Sequence, residues 1–252
     1  MLEIFILSII QGITEFLPIS SSSHLILVSS YLSFSNQSLP IDISLHIGSF
    51  FAVIFYFRND IYNFFKNKKL FLKIILSSIP VMLIGFLLFK FNLIDQLRNI
   101  KTIGWMTILF GVLLYVSDQF ASTKKIKDNL DYKSILFIGL FQVLSLIPGV
   151  SRSGITISAA RMLKFDRTES AKISFLLSIP TLAAVCIFGI YNLINANSLH
   201  FSMSNLLSIL FSFVFSLITI KYFLKYIKNF NLNIFVIYRI ILGTVILVFA
   251  YS

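Results

Sequence analysis

Apolar residues gather along the chain in six runs, roughly 42–57, 71–89, 102–118, 171–191, 204–223 and 234–251. Each is long enough, or nearly so, to cross about 30 Å of hydrocarbon as an α-helix rising about 1.5 Å per residue. Two further stretches, 3–28 and 135–160, begin apolar and then break into proline, serine and glycine. Their breaks read FLPISSSSH and LIPGVSRSG, set where a simple span would need apolar residues.

Polar positions between the runs fix an expected topology. Arg58, Lys66, Lys68, Lys69 and Lys73 form one basic cluster, and Lys124, Lys125, Lys127 and Lys133 a second. Arg161, Lys164, Arg167 and Lys172 form a third, and Lys221, Lys225 and Lys228 a fourth, whereas the 192–203 loop has no lysine or arginine. Placing the clusters on the cytoplasmic side lets both sets of three spans alternate correctly. The 90–101 loop, with Lys90, Arg98 and Lys101, is a mild violation. Because 119–134 and 161–172 both belong inside, the stretch between them must leave and return on one side. A re-entrant hairpin does so, and its irregular turn must be buried in protein or line a cavity.

The two broken stretches also resemble each other. Gln11-Gly12-Ile13-Thr14 and Gln142-Val143-Leu144-Ser145 each open a segment that soon meets proline, and at the same offset of 131 Ser20-Ser21-Ser22 falls on Ser151-Arg152-Ser153. A second echo, Ser78-Ile79-Pro80 against Ser178-Ile179-Pro180, has another offset. Each broken stretch is followed by three spans, and an odd number of spans reverses the second copy in the membrane. The expected architecture is an all-α polytopic membrane protein, one membrane domain over 1–252. Inverted-topology repeats are expected at about 1–118 and 135–252, with about six full spans and two re-entrant helix hairpins.

Composition agrees with the pattern. Of 252 residues 57% are hydrophobic and 12% charged, about half the charged fraction of a soluble domain. Disorder and a single soluble core are both excluded. A net charge of +11 would suggest nucleic acid in a soluble protein. Here 16 of the 21 basic residues fall in the four short clusters between apolar runs, as in cytoplasmic loops beside anionic lipid, so no nucleic-acid partner is expected. The lone Cys186 excludes a disulfide framework. The N-terminus lacks a basic n-region and a small-residue cleavage site, so it reads as part of the mature protein.

What remains outside the clusters is candidate chemistry. Gln11 and Glu15 share a helix face in apolar surroundings, and an intramembrane carboxylate is a functional hypothesis by default. The bland alternative is a structural carboxylate tied to backbone or to an arginine. His24 follows Ser20, Ser21, Ser22 and Ser23, a setting for a base or nucleophile, although serines are also ordinary turn and cap material. Pro148-Gly149-Val150-Ser151-Arg152-Ser153-Gly154 offers a tight turn and a planar guanidinium suited to phosphate, with Ser151 and Ser153 flanking it and a helix expected over 155–163. Arg152 could equally neutralise Glu15, or do both. Asp42 and His46, four apart at a span entrance, either help bind a divalent cation or mark the interface. His200 reads as a water-facing loop residue.

Two signatures then carry a resemblance. Gln11-Gly12-Ile13-Thr14-Glu15-Phe16-Leu17-Pro18-Ile19-Ser20-Ser21, followed by His24, and Pro148-Gly149-Val150-Ser151-Arg152-Ser153-Gly154 resemble the undecaprenyl-diphosphate phosphatase family associated with bacitracin resistance. The resemblance covers essentially the whole chain, including Ser174-Phe175-Leu176-Leu177 to Pro180. It implies removal of the terminal phosphate of undecaprenyl diphosphate, supplying the monophosphate carrier of peptidoglycan synthesis, and a requirement for Mg²⁺ or Ca²⁺. It also implies a bacterial inner-membrane location with the site opening to the outer side. By resemblance Glu15 and His24 belong to the catalytic group, Ser21 is a nucleophile or phosphate contact, and Arg152 is the pyrophosphate clamp. Ser20, Ser151, Ser153 and Gly154 are the further phosphate-binding candidates, and Glu15, with Gln11 and Asp42, the metal candidates. The nucleophile stays open between His24, Ser21 and water. The rival reading is a polyprenyl-phosphate carrier flippase or transporter, and a homodimer is an open option for assembly.

Two positions depart from the family pattern. Many relatives have Thr-Gly before the histidine where this chain has Ser22-Ser23, which limits the turn if φ is positive at 23. Gln11 at the start of the first motif leaves one charge fewer for a metal.

Overall fold

The computed structural model describes residues 1–32, 38–66, 68–91, 93, 97–195 and 202–251. His200 therefore lies outside the described residues. The chain is an all-α bundle whose six long helices are apolar enough to cross a membrane. In chain order the helices are α1 (Leu2–Thr14), α2 (Ser21–Leu32), α3 (Leu39–Tyr56), α4 (Arg58–Lys66), α5 (Lys68–Lys90) and α6 (Ile100–Asp118). After one short turn of helix at Ile126–Asn129 come α7 (Tyr132–Val143), α8 (Arg152–Met162), α9 (Arg167–Asn195), α10 (Met203–Asn229) and α11 (Asn233–Tyr251). The spans are α3, α5, α6, α9, α10 and α11, and all six cover the expected runs. The expected loop at 58–73 is different: α4 occupies its first part, anchored where Lys172 reaches Asp60 at 2.7 Å.

The surface and the interior exchange their usual characters. Leu83, Phe86 and Leu87 on α5, Ile187 and Ile194 on α9 and Val248 and Phe249 on α11 all point outward, as lipid-facing residues do. Contacts between spans rely instead on small polar residues. Along the α3–α10 seam the Ser212 hydroxyl donates to the Leu45 carbonyl at 2.7 Å, and the Ser216 hydroxyl donates to Ser49 Oγ at 3.0 Å. The Asn205 amide donates to Ser44 Oγ at 3.1 Å. With lipid outside, small side chains that let backbones approach and hydroxyls that pair across helices drive such packing. An apolar core still exists where the spans meet the hairpins, around Phe16, Phe57, Phe165, Phe175 and Phe223.

Two short helix pairs, α1–α2 and α7–α8, enter this bundle. The α1 helix packs on α10, in the later half of the chain, and α7 packs on α5, in the earlier half. Gly12 and Gly139 make these approaches close: a Cβ on Gly12 would collide with Phe215, and one on Gly139 with the Ser77 carbonyl. The central spans α3 and α9 lie against each other, as do α6 and α11.

At the end of the bundle that carries the basic clusters, Asp118 closes α6. Its carboxylate accepts from Arg167 Nε at 2.8 Å and from the Leu232 backbone N–H at 3.1 Å, with Arg161 Nε at 3.3 Å. The fully buried Arg161 guanidinium also donates to the carbonyls of Asp118, Phe120 and Phe165 and to the Ser122 hydroxyl. Two arginines read as topological charge are therefore also structural, tying α6, α8, α9 and the start of α11 together.

Candidate active site

Both short pairs turn through the same unusual backbone. The α1 helix ends at Thr14 and the chain turns through Pro18 to Ser20, whose φ is 74°; α7 ends at Val143 and the chain turns through Pro148 and Gly149 to Ser151, whose φ is 71°. Serine at positive φ is strained, and it recurs at the offset of 131 that relates the two sequences. Each turn serine reaches three residues ahead: Ser20 Oγ lies 2.9 Å from Ser23 Oγ, and Ser151 Oγ accepts from the Gly154 N–H at 3.2 Å. Ser23 itself sits inside α2, so the missing glycine before His24 creates no turn problem; the positive φ falls at Ser20. The α8 helix begins at Arg152, three residues before the expected start.

The turns meet face to face. The Ser153 hydroxyl donates to the Leu17 carbonyl at 2.6 Å. Arg239, fully buried on α11, donates to the Pro18 carbonyl at 3.1 Å, the Val150 carbonyl at 3.0 Å and the Gly149 carbonyl at 2.8 Å. It also reaches the Thr107 and Met106 carbonyls of α6. Gly154 makes room for this arginine, since a Cβ there would stand 3.0 Å from Arg239 Nη1. Ser153 and Gly154 thus join the two turns; neither lines the cavity between them.

That cavity, about 200 Å³, is bordered by both hairpins and by α3, α5 and α9. Glu15, Ser20, Ser21, Ser151 and Arg152 all line it. Across it Arg152 Nη2 donates to Glu15 Oε1 at 2.8 Å, joining residues 137 apart in sequence. Glu15 Oε2 accepts from the Ser21 hydroxyl at 2.7 Å and from Gln11 Nε2 at 3.1 Å. A carboxylate so buried persists because a guanidinium and two neutral donors together replace its water. Thr181 and Leu182 of α9 and Val81 of α5 close the far wall, immediately after Pro180 and Pro80. The Ser-Ile-Pro echo thus marks the two spans that flank one cavity.

Other sequence candidates are placed elsewhere. His24 does not line the cavity: its Nδ1–H donates to the Ser20 carbonyl at 2.6 Å, and Nε2 accepts from the Tyr238 hydroxyl at 2.5 Å, with the two rings stacked. It braces the strained turn from behind. His46 reaches the cavity, whereas Asp42, one turn away on α3, does not line it. Among the described residues no group of three or more His, Cys, Asp or Glu side chains could hold a metal. The only arginine or lysine lining the cavity among those residues is Arg152. Sequence reasoning passed over Arg239, although the rule that singled out Glu15, a charge inside an apolar run, applies to it equally. It also gave Gln142 no role, and Gln142 lines the cavity.

A polytopic membrane protein with a buried Arg–carboxylate pair and a carboxylate-bonded serine has the parts of a lipid-phosphate hydrolase. The chain belongs to the bacitracin resistance protein BacA family, whose model matches residues 4–245. It is 48% identical to an undecaprenyl-diphosphatase of Pelagibacter ubique, over 100% of this chain and 98% of that protein. Undecaprenyl-diphosphatases of Jannaschia sp. and Alteromonas mediterranea are 37% and 41% identical to it, each over 99% of this chain and 98% of the relative.

Proposed function

We propose that this chain hydrolyses undecaprenyl diphosphate to undecaprenyl phosphate and phosphate, supplying the lipid carrier for peptidoglycan synthesis. The observation that carries this reading is the polar cavity where Glu15, Ser21 and Arg152 converge inside an apolar bundle. Arg152 offers Nη1, held among the described residues by a long 3.4 Å bond to the Ser174 carbonyl, for a phosphate oxygen. Its planar fork suits the terminal phosphoryl group and balances charge that builds there during transfer.

Ser21 is the nucleophile that this geometry favours over His24, because its hydroxyl lies in the cavity and already donates to a carboxylate. Ser21 Oγ attacks the terminal phosphorus as its proton passes to Glu15 Oε2. The bond from that phosphorus to the bridging oxygen breaks, and undecaprenyl phosphate departs with the proton from Glu15. Water then attacks the phosphoserine phosphorus, its proton passing through Glu15 to Ser21 Oγ as the P–Oγ bond breaks and phosphate leaves.

The donor set fits a divalent cation only in part. Mg²⁺ takes one or two carboxylates together with substrate phosphates and water, and Glu15 supplies one carboxylate. The Gln11 carboxamide oxygen, buried and without a hydrogen-bond partner, is the second oxygen beside it. Both Glu15 oxygens already accept hydrogen bonds, so these residues would hold Mg²⁺ or Ca²⁺ only jointly with the substrate. The cation would supply neutralisation of phosphate charge.

In this reading the cavity, at mid-depth in the bundle, opens toward the outer side of the bacterial inner membrane. Support comes from the basic clusters, which by the positive-inside rule mark the Asp118 end as cytoplasmic. Phosphate release from the C55 diphosphate in detergent tests the reading, with and without chelator. Arg152→Ala should cost at least about a hundredfold in kcat while the protein stays folded; near-normal turnover would remove the clamp. Acid quenching with substrate labelled in its terminal phosphate should leave label on Ser21. Full turnover with no labelled protein would replace the covalent route with direct attack by water.

A further inference from the structure

Gln142 stands at the end of α7, one turn before the second hairpin breaks. Its side chain is fully buried and lines the cavity, yet neither Nε2 nor Oε1 has a hydrogen-bond partner. Two unpaired atoms of one buried carboxamide are costly, and native interiors rarely hold them without a use. The sequence offset of 131 shows how they arise. Gln11, the counterpart, bonds the carboxylate four residues on, at Glu15. Four residues after Gln142 stands Leu146, which also lines the cavity and accepts nothing. One glutamine of the pair is satisfied within its own helix, and the other presents its amide to the same cavity unspent.

Resting on the phosphatase reading above, we propose that Gln142 is a substrate-contacting residue whose Nε2–H donates to a phosphate oxygen of the bound diphosphate. The charge in the cavity points to the donor half of the amide. Both Glu15 oxygens already accept hydrogen bonds, and a diphosphate brings more acceptor oxygens than Arg152 alone can meet. The contact would form opposite Arg152, from the helix that enters the second turn, so the phosphates are held between the two arms of one hairpin.

The test compares Gln142→Leu and Gln142→Glu with the wild-type protein, reading phosphate release from C55 diphosphate, thermal unfolding in detergent and the half-saturating Mg²⁺ concentration. Losing one hydrogen bond to a charged group should lower kcat/KM of Gln142→Leu by about ten- to a hundredfold. Its unfolding temperature should stay the same or rise, because a buried amide without partners has been removed. Gln142→Glu should be the poorer enzyme, since it loses the donor and adds a charge facing phosphate, and its Mg²⁺ requirement should be unchanged. Gln142→Leu within twofold of wild type overturns the proposal, and so does a Gln142→Leu protein that unfolds or melts earlier. Gln142→Glu more active than Gln142→Leu with a lower Mg²⁺ requirement also overturns it, making the oxygen a cation ligand. A wild-type protein releasing no phosphate would sink the phosphatase reading itself.

Discussion

Arg239→Met removes a guanidinium that holds both hairpin turns at once while keeping most of the side-chain stem in place. Three of the carbonyls it serves, Pro18, Gly149 and Val150, lie in non-helical turns. Among the described residues none of the three accepts a backbone hydrogen bond outside the helices. Leaving each without a donor costs about 1–3 kcal/mol. Two more carbonyls, those of Thr107 and Met106, belong to α6 and lose a second donor only. Against this, the substitution spares the desolvation of a fully buried cation with no carboxylate beside it among the described residues, which returns part of the loss. The net should be destabilising by on the order of 4 kcal/mol, a fall of roughly 10 °C in unfolding temperature for a chain of this size. Because the turns carry Glu15 and Arg152 at their ends, a displacement near 1 Å should also cost about a hundredfold in kcat/KM, measured below the new melting point. Arg239→Lys should rescue little, since one ammonium cannot span carbonyls from two turns and a helix. A melting curve for Arg239→Met within about 3 °C of wild type would refute the stability reasoning. A large fall in stability with normal turnover in the folded fraction would show that the turns hold their geometry without it.

Three further outcomes follow from the same geometry. Ser23→Gly, which restores the residue common in relatives, should leave kcat unchanged and lower stability by about 1 kcal/mol, since position 23 is helical and its hydroxyl supports Ser20; a gain in activity would contradict this. Asp118→Asn should destabilise the protein by about 3–5 kcal/mol, because Arg161 and Arg167 lose their shared buried carboxylate. Specific activity of the folded protein should hold in that variant, and its loss would mean the distal cluster communicates with the cavity. Glu15→Gln should abolish turnover and lower the melting temperature together, as Arg152 loses its carboxylate; retained turnover would exclude Glu15 as the proton acceptor.

The spans and both broken stretches were legible because hydrocarbon imposes a length and a loop parity that the basic clusters reveal. Glu15 and Arg152 were legible as charges in the wrong solvent. Their pairing was not, since 137 residues separate them and only the meeting of two turns brings them to 2.8 Å. The phosphate roles assigned to Ser153 and Gly154 looked natural in a glycine–serine loop. The structure gives that loop a second task, docking on its counterpart, which uses the Ser153 hydroxyl and the space above Gly154. His24 sits beside the site in sequence but on the outer side of its turn, a direction that helical phase after a positive φ decides and residue type does not. Arg161 and Arg167 read in the sequence only as inside charges, because their buried carboxylate partner Asp118 stands at the end of an apolar run.

The cavity of about 200 Å³ has a consequence for how the reaction should be measured. It is large enough for a diphosphate and far too small for a polyprenyl tail, so the tail must lie outside it, in the surrounding lipid. The enzyme then samples a two-dimensional solution. Its rate should follow the mole fraction of substrate in the micelle or bilayer, and diluting the substrate with inert detergent should slow it at constant bulk concentration. Prenyl diphosphates of different length should differ chiefly in how fully they partition into that phase.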